Sequence, residues 1–247
     1  GLRRFEIESA SQYQKKTLIL FVTILEGCAM LYHMKTSTIY QKSIKHPSGY
    51  STLKKGSSNK KLGFKVSAKK WTGKRLYSLT LTERETCPKS CHHWEDCYGN
   101  NMPFAHRFSV DGLTEKLEVE IKSLLLKHKQ GIVIRLHVLG DFWSVSYVTF
   151  WERMLKENPT LCIFGYTGRL PESNIGYGLH LINQRFKDRC VIRYSRSKES
   201  KKGLLYAAEE SFQGPHFECP EQSGKIKDCA SCGLCWISPR TVKFKTH

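Results

Sequence analysis

Two groups of cysteines carry the chemistry this sequence can do. Of its ten cysteines, four fall near the carboxyl end as Cys219-Pro220 followed by Cys229-x-x-Cys232-x-x-Cys235. Thiolates separated by two residues wrap the chain around one inorganic centre, and that pitch suits the corners of a four-iron, four-sulfur cluster. A four-thiolate zinc site is the alternative, since structural zinc takes four such ligands in closely spaced pairs. Disulfides rank below both, because this spacing fits thiolates serving a metal in a reducing compartment. Gly233 relieves crowding inside the loop, and Trp236 is placed to shield one face of a cluster.

The second group is Cys87-Pro-Lys-Ser-Cys91-His-His-Trp-Glu-Asp-Cys97. It follows a predicted strand directly, in the kind of βα loop where such folds place their chemistry. Together the two groups hold seven thiolates. Either the tail holds one fully ligated cluster and the loop a second, open-site one, or a single cluster draws ligands from both. His92 and His93 are candidate ligands, or an exposed pair in the loop.

These loops need elements to position them. Residues 76–82 alternate as a strand. Leu113, Leu117, Ile121, Leu124 and Leu125 recur at helical spacing, with Gly131 closing that segment. Residues 132–138 form a second strand. Ser144 opens a helix that buries Val148, Trp151 and Leu155 and stops before Pro159. Residues 161–167 are a third strand, 179–186 a helix, and 190–195 a fourth strand. Strands alternating with helices specify a parallel sheet with right-handed crossovers. Four units predict an α/β fold with a partial, half-barrel-like parallel sheet and a cysteine-rich closing segment. The chain divides into an extension (1–34), a basic loop-rich segment (35–74), a β/α core (75–215) and the cysteine-rich segment (216–247).

Strand ends in such folds share a face. His137, Asp141, Thr167, Arg169, Ser195 and Arg196 follow the predicted strands, so they are candidates for a rim that binds a substrate or an anion. Helix capping is an equal account of Asp141 and Ser195. No Gly-rich phosphate loop and no nucleophile elbow is present.

Lys and Arg total 40 against 22 Asp and Glu, a formal charge of +18. Such an excess attracts polyanions, and makes DNA or RNA a candidate partner. A cluster also implies an electron-transfer partner. Residues 54–61 read as an exposed basic loop, either a nucleic-acid contact or a solvated linker. Residues 18–25 are apolar but too short to span a bilayer, so no membrane association is expected.

Three cysteines after the first strand of a β/α fold resemble the radical S-adenosylmethionine enzymes, whose C-x3-C-x2-C leaves one iron free for the cofactor. Here the second gap, Cys91 to Cys97, is longer. If the resemblance holds, Cys87, Cys91 and Cys97 carry a catalytic cluster and S-adenosylmethionine is a cofactor. A broader resemblance rests on Cys87-Pro-x-x-Cys91 with Cys97-Tyr98, on Arg135-Leu-His137 with Gly140-Asp141-Phe142, on Phe164-Gly-Tyr166-Thr167, and on the tail cysteines with Trp236. This order, from about residue 76 to residue 236, resembles the bacteriophage gene product eighty-eight family. That resemblance implies a viral origin and a cytoplasmic life in an infected host cell, and it brings no assigned activity.

Overall fold

A computed structural model describes residues 38–91, 93–195, 204–208 and 213–245. The expectations for residues 1–34, His92 and Arg196 lie outside them. In chain order the elements are β1 (Ile44–Lys45), β2 (Lys54–Lys55), β3 (Arg75–Ser78), β4 (Arg107–Phe108), α1 (Leu113–Lys127), β5 (Ile132–Leu136), α2 (Val145–Glu157) and β6 (Leu161–Thr167). They continue with α3 (Asn174–Arg185), β7 (Cys190–Ser195), β8 (Tyr206–Ala208), β9 (His216–Glu218), the single turns α4 (Cys229–Cys232) and α5 (Leu234–Ile237), and β10 (Thr241–Lys243).

Eight strands pair in the order β2-β3-β5-β6-β7-β8-β10-β9, with β1 and β4 in a separate parallel pair. Only β2 runs antiparallel to its neighbour within the large sheet. The mixed α/β fold with a mainly parallel sheet follows from the alternation of strand and helix in the sequence. Because side chains alternate across a strand, each central strand feeds two cores. Ile132, Ile134, Leu161, Ile163, Cys190 and Ile192 point to one face, where α1 contributes Leu113, Leu117 and Ile121, α2 contributes Val148, Trp151 and Met154, and α3 contributes Leu179 and Ile182. Val133, Cys162, Phe164 and Val191 point to the other face, which carries none of these three helices. There they meet Leu62, Val66, Ala68, Trp71, Ala230 and Trp236. Full burial of one such large apolar side chain contributes about 1.5–3 kcal/mol. The second core therefore fastens the cysteine-bearing tail to the sheet.

Helix starts are capped as their sequences direct. Ser144 Oγ accepts from the Tyr147 amide at 3.1 Å and Ser173 Oγ from the Gly176 amide at 3.0 Å. Two local readings differ from the structure. The 54–61 stretch is exposed at Lys55, Ser57, Ser58, Lys60 and Lys61, as expected, but its first two residues are strand rather than loop. Lys54 and Lys55 form an edge strand on β3, and the following segment buries Leu62, Val66 and Trp71 beneath the tail. The sheet also exceeds the four expected strands, because β2, β8, β9 and β10 are only two or three residues long and show no readable alternation.

Candidate metal centre

The first cysteine group leaves the sheet through a braced loop. Beyond β3, the Leu79 amide donates to Arg135 O and the Leu81 amide to Leu139 O, at 3.2 and 3.0 Å. The Thr86 hydroxyl then donates to Thr82 O at 2.8 Å, and Cys87 follows at the rim. Turns close from the Cys91 amide to Pro88 O and from the Asn100 amide to Cys97 O. Beneath the loop, Arg107 and Glu83 form an ion pair of 2.7 Å that is sealed from solvent. The same guanidinium donates to Ser43 Oγ and to the carbonyls of Gly99, Met102 and Ala105. One buried cation thus holds the chain that leads away from Cys97.

Asp141 faces this loop from the end of β5. Its Oδ1 accepts from the Thr167 hydroxyl and the Phe142 amide, both at 2.7 Å, and its Oδ2 accepts from the Gly168 amide at 2.7 Å. Its own amide donates to Thr86 Oγ1 at 3.1 Å. Arg169 completes the brace, with Nε donating to Phe142 O and Nη2 to Thr86 O, both at 2.8 Å. Gly140 is required before Asp141. Its φ is +84°, and a Cβ would lie 2.6 Å from both Leu81 Cβ and Thr86 Oγ1. Burial pushes the Asp141 carboxyl up to about 6, against the pull of the Thr167, Phe142 and Gly168 donors. Burial, with Asp141 adding to it, pushes the Cys87 thiol up to about 12.

Of the expected rim residues, Asp141, Thr167 and Arg169 come together beside Cys87. Asp141 caps no helix, and the segment that follows Ser195 lies outside the described residues. Ser195 ends β7, pairs with Ala207, and stays outside the Asp141 network. His137 packs in the interior rather than on the rim. Its ring meets Phe142 edge-on at 4.8 Å, and Nε2 lies 3.0 Å from the Tyr147 hydroxyl. Burial drives its imidazole down to about 3, so it is neutral in the folded protein.

The tail group is built from two consecutive turns. Asp228 Oδ1 accepts from the Ser231 amide at 2.8 Å, starting the turn that carries Cys229 and Cys232. Gly233 breaks it at φ +69°, where a Cβ would come within 2.5 Å of Ala68 Cβ, and the second turn then brings in Cys235. The Cys229 and Ala230 amides donate to Lys61 O and Leu62 O, while Ala230 O accepts from the Ser67 and Ala68 amides. Trp236 stacks on Trp71 at 5.1 Å and 14°, so it serves the core as well as adjoining Cys235. Cys219 follows β9, and its amide donates to Lys243 O at 2.9 Å.

Two residues that sequence reasoning did not place among the site residues, Arg193 and Tyr166, bind this tail to the sheet, and a third, Arg135, packs on Tyr166. Arg193 donates from Nε to Cys235 O at 2.8 Å, and from its other nitrogens to the carbonyls of Tyr206, Ser238 and Arg240. The Tyr166 hydroxyl donates to Cys235 Sγ at 3.0 Å. The Arg135 guanidinium lies 4.5 Å from the centroid of the Tyr166 ring. A signal existed for both arginines. Each interrupts an apolar strand at a position facing the second core, and a buried cation there must have partners.

Nine cysteines are described, and all are free thiols. Burial raises the Cys229 and Cys235 thiols, and in both cases neighbouring cysteines, Cys219 among them, add to the effect. Among the described residues, no three Cys, His, Asp or Glu side chains converge as the ligands of a single metal ion would. Also among the described residues, no helix is long and apolar enough to cross a membrane.

A family model described as Gene product 88 matches residues 51–216. The chain belongs to the Gene product 88 family. One relative is the Gene 88 protein of Mycobacterium phage L5, 28% identical over 142 residues that cover 49% of this chain. This chain therefore spans little more than half of that relative, 57% of its length. No solved structure matches. The Gene product 88 match takes in β2, the first cysteine group, Arg135, Asp141 and Arg169, and it ends before Cys219. It thus begins earlier in the sequence, and stops earlier, than the motif order had suggested.

Proposed function

We propose that this Gene product 88 protein is an iron–sulfur protein, with a four-iron cluster held by Cys219, Cys229, Cys232 and Cys235. The observation that carries the reading is the chemistry of the donor set. Four free thiols occupy one tail segment, two of them, Cys229 and Cys235, packed on the sheet face opposite α1, α2 and α3, and backbone bonds fix both turns that present three of the four. When bound, such a cluster supplies one-electron transfer or sensing. Cys219, Cys229, Cys232 and Cys235 would hold it, with Arg193 fixing the Cys235 backbone and the Tyr166 hydroxyl donating to the Cys235 sulfur. A redox partner is part of this reading.

A second reading is favoured by the place of Cys87, Cys91 and Cys97. They sit on the loop after β3, beside Asp141 at the carboxyl ends of parallel strands, where α/β enzymes bind ligands. In that reading they carry an open-site cluster of the radical S-adenosylmethionine kind. The sequential order β3-β5-β6-β7, with α1, α2 and α3 on one face, is in keeping with a partial barrel.

Purification without oxygen tests the proposal. A brown protein with broad absorption near about 400 nm is expected. The colour is expected to vanish in Cys232→Ser and Cys235→Ser and to persist in Cys162→Ser. Colourless protein, or equal colour in all three variants, contradicts the ligand assignment. Reductive cleavage of added S-adenosylmethionine, lost in Cys91→Ser alone, separates the second reading from the first.

A further inference from the structure

Basic and aromatic side chains from separate segments gather on one surface beside β2. The Lys45 ammonium, at the end of β1, lies 5.7 Å from the centroid of the Tyr50 ring. His106, which precedes β4, packs on the same ring at 5.5 Å and 76°. The pairing of β1 with β4 brings these segments together. Burial first, and then Lys54 and Lys45, push the His106 imidazole below its ordinary value, so both lysines bear on it. Lys55 carries the charge to the other side of β2. There burial, and then Arg75, Lys127 and Lys55 together, lower the His128 imidazole. The carboxylates of adjoining segments are already engaged. Asp111 meets His46 at 3.3 Å, and Glu120 accepts from the Thr52 and Leu53 amides and pairs with Lys116.

Lysines on an edge strand keep it from pairing with another chain, which accounts for Lys54 and Lys55 alone. It does not account for an exposed ring set among cations from other segments. Tyr50 is 42% exposed, and Phe104, two residues before His106, is 94% exposed. Single strands are bound by cations that follow the phosphates, interleaved with rings on which bases stack. A duplex hides its base faces and leaves such rings unused. We infer that the surface formed by Lys45, Tyr50, Lys54 and His106 binds single-stranded nucleic acid, with the lysines on phosphates and the Tyr50 ring on a base. The formal charge of +18 draws the strand to the protein, and this surface adds the stacking that charge alone lacks. No metal takes part in it.

The test is fluorescence anisotropy of the full chain with labelled oligothymidylate and oligouridylate of about 15 nucleotides. Wild type is expected to bind at least one of them more tightly than a duplex of equal length. Lys45→Gln combined with Lys54→Gln is expected to weaken binding at least about tenfold, and to flatten the slope of log affinity against log salt by about 1.4. Tyr50→Ala is expected to weaken it about five- to hundredfold at an unchanged slope, and Tyr50→Phe to bind like wild type. Lys156→Gln combined with Lys187→Gln removes the same charge from exposed positions elsewhere and is expected to leave binding unchanged. A bromouracil-containing strand irradiated with wild-type protein is expected to cross-link within residues 45–54 or 104–106, which tests the surface without any variant. Absence of binding, equal loss in both lysine pairs, or cross-links confined to other segments overturns the inference. So does a duplex bound as tightly as the single strand, or a strand displaced as readily by anionic lipid vesicles as by unlabelled strand, the mark of a membrane surface instead.

Discussion

Arg193 Nε donates to the backbone oxygen of Cys235 at 2.8 Å, so a charge on the central sheet holds the segment that carries the tail cysteines. Arg193 is 1% exposed, and its guanidinium reaches four carbonyls in all. Replacing it with Leu leaves those acceptors buried without donors, at about 1–3 kcal/mol for each that fails to find water. Arg193→Leu is expected to lower stability by about 3–5 kcal/mol in urea unfolding. Arg193→Lys is expected to recover only part of it, because one ammonium cannot span the same carbonyls.

The Glu83–Arg107 pair makes a separate prediction for the first cysteine loop. Both side chains are sealed from solvent. Glu83→Gln leaves Arg107 as a buried charge without its counterion and is expected to cost about 3–5 kcal/mol. Limited proteolysis is expected to cut within residues 97–105 of this variant first, since Arg107 holds that stretch through three of its carbonyls. An unchanged cleavage pattern contradicts this role.

His137 gives the fold an acid limit. Its folded pKa, about 3, lies below the ordinary histidine value of 6.5. The unfolded chain therefore binds the extra proton between these values, and stability falls as pH drops below about 6.5. His137 contributes a slope of up to about 1.4 kcal/mol per pH unit, flattening near pH 3, and the raised Asp141 carboxyl opposes it below about pH 6. His137→Gln is expected to remove this slope in a series of unfolding curves from pH 7 to about pH 4.

Gly233 separates the two turns of the tail. At φ +69°, with Ala68 Cβ only 2.5 Å from where a methyl group would stand, Gly233→Ala meets both backbone strain and a packed neighbour. A loss of about 1–3 kcal/mol is expected, together with weaker metal retention. Gly224→Ala is the control. It shares a positive φ but has open space around it, so it is expected to keep metal like wild type.

Much of the fold was legible because its central elements are strongly patterned. The strands at 161–167 and 190–195 match β6 and β7 residue for residue, and the Ser144 cap stands where its sequence put it. The tail's anchorage was not legible. It depends on Leu62, Val66 and Trp71, which lie in a Lys- and Ser-rich stretch without periodicity and acquire their role only when the tail folds over them. Asp141 and Arg169 were recognisable from their positions after strands. His137 was misleading in the same pattern, since the residue after β5 turns inward against Phe142 and Tyr147. Arg135 and Arg193 were present as charges within apolar strands, but the carbonyls and rings they serve come from distant segments.

The most direct measurement is the iron and acid-labile sulfide content per chain of wild-type protein purified without oxygen. About four of each for every cluster is expected, falling by at least one full cluster in Cys235→Ser. Protein with no iron, or with zinc in equal proportion to chains and no sulfide, contradicts the proposal that these thiols hold an iron–sulfur cluster.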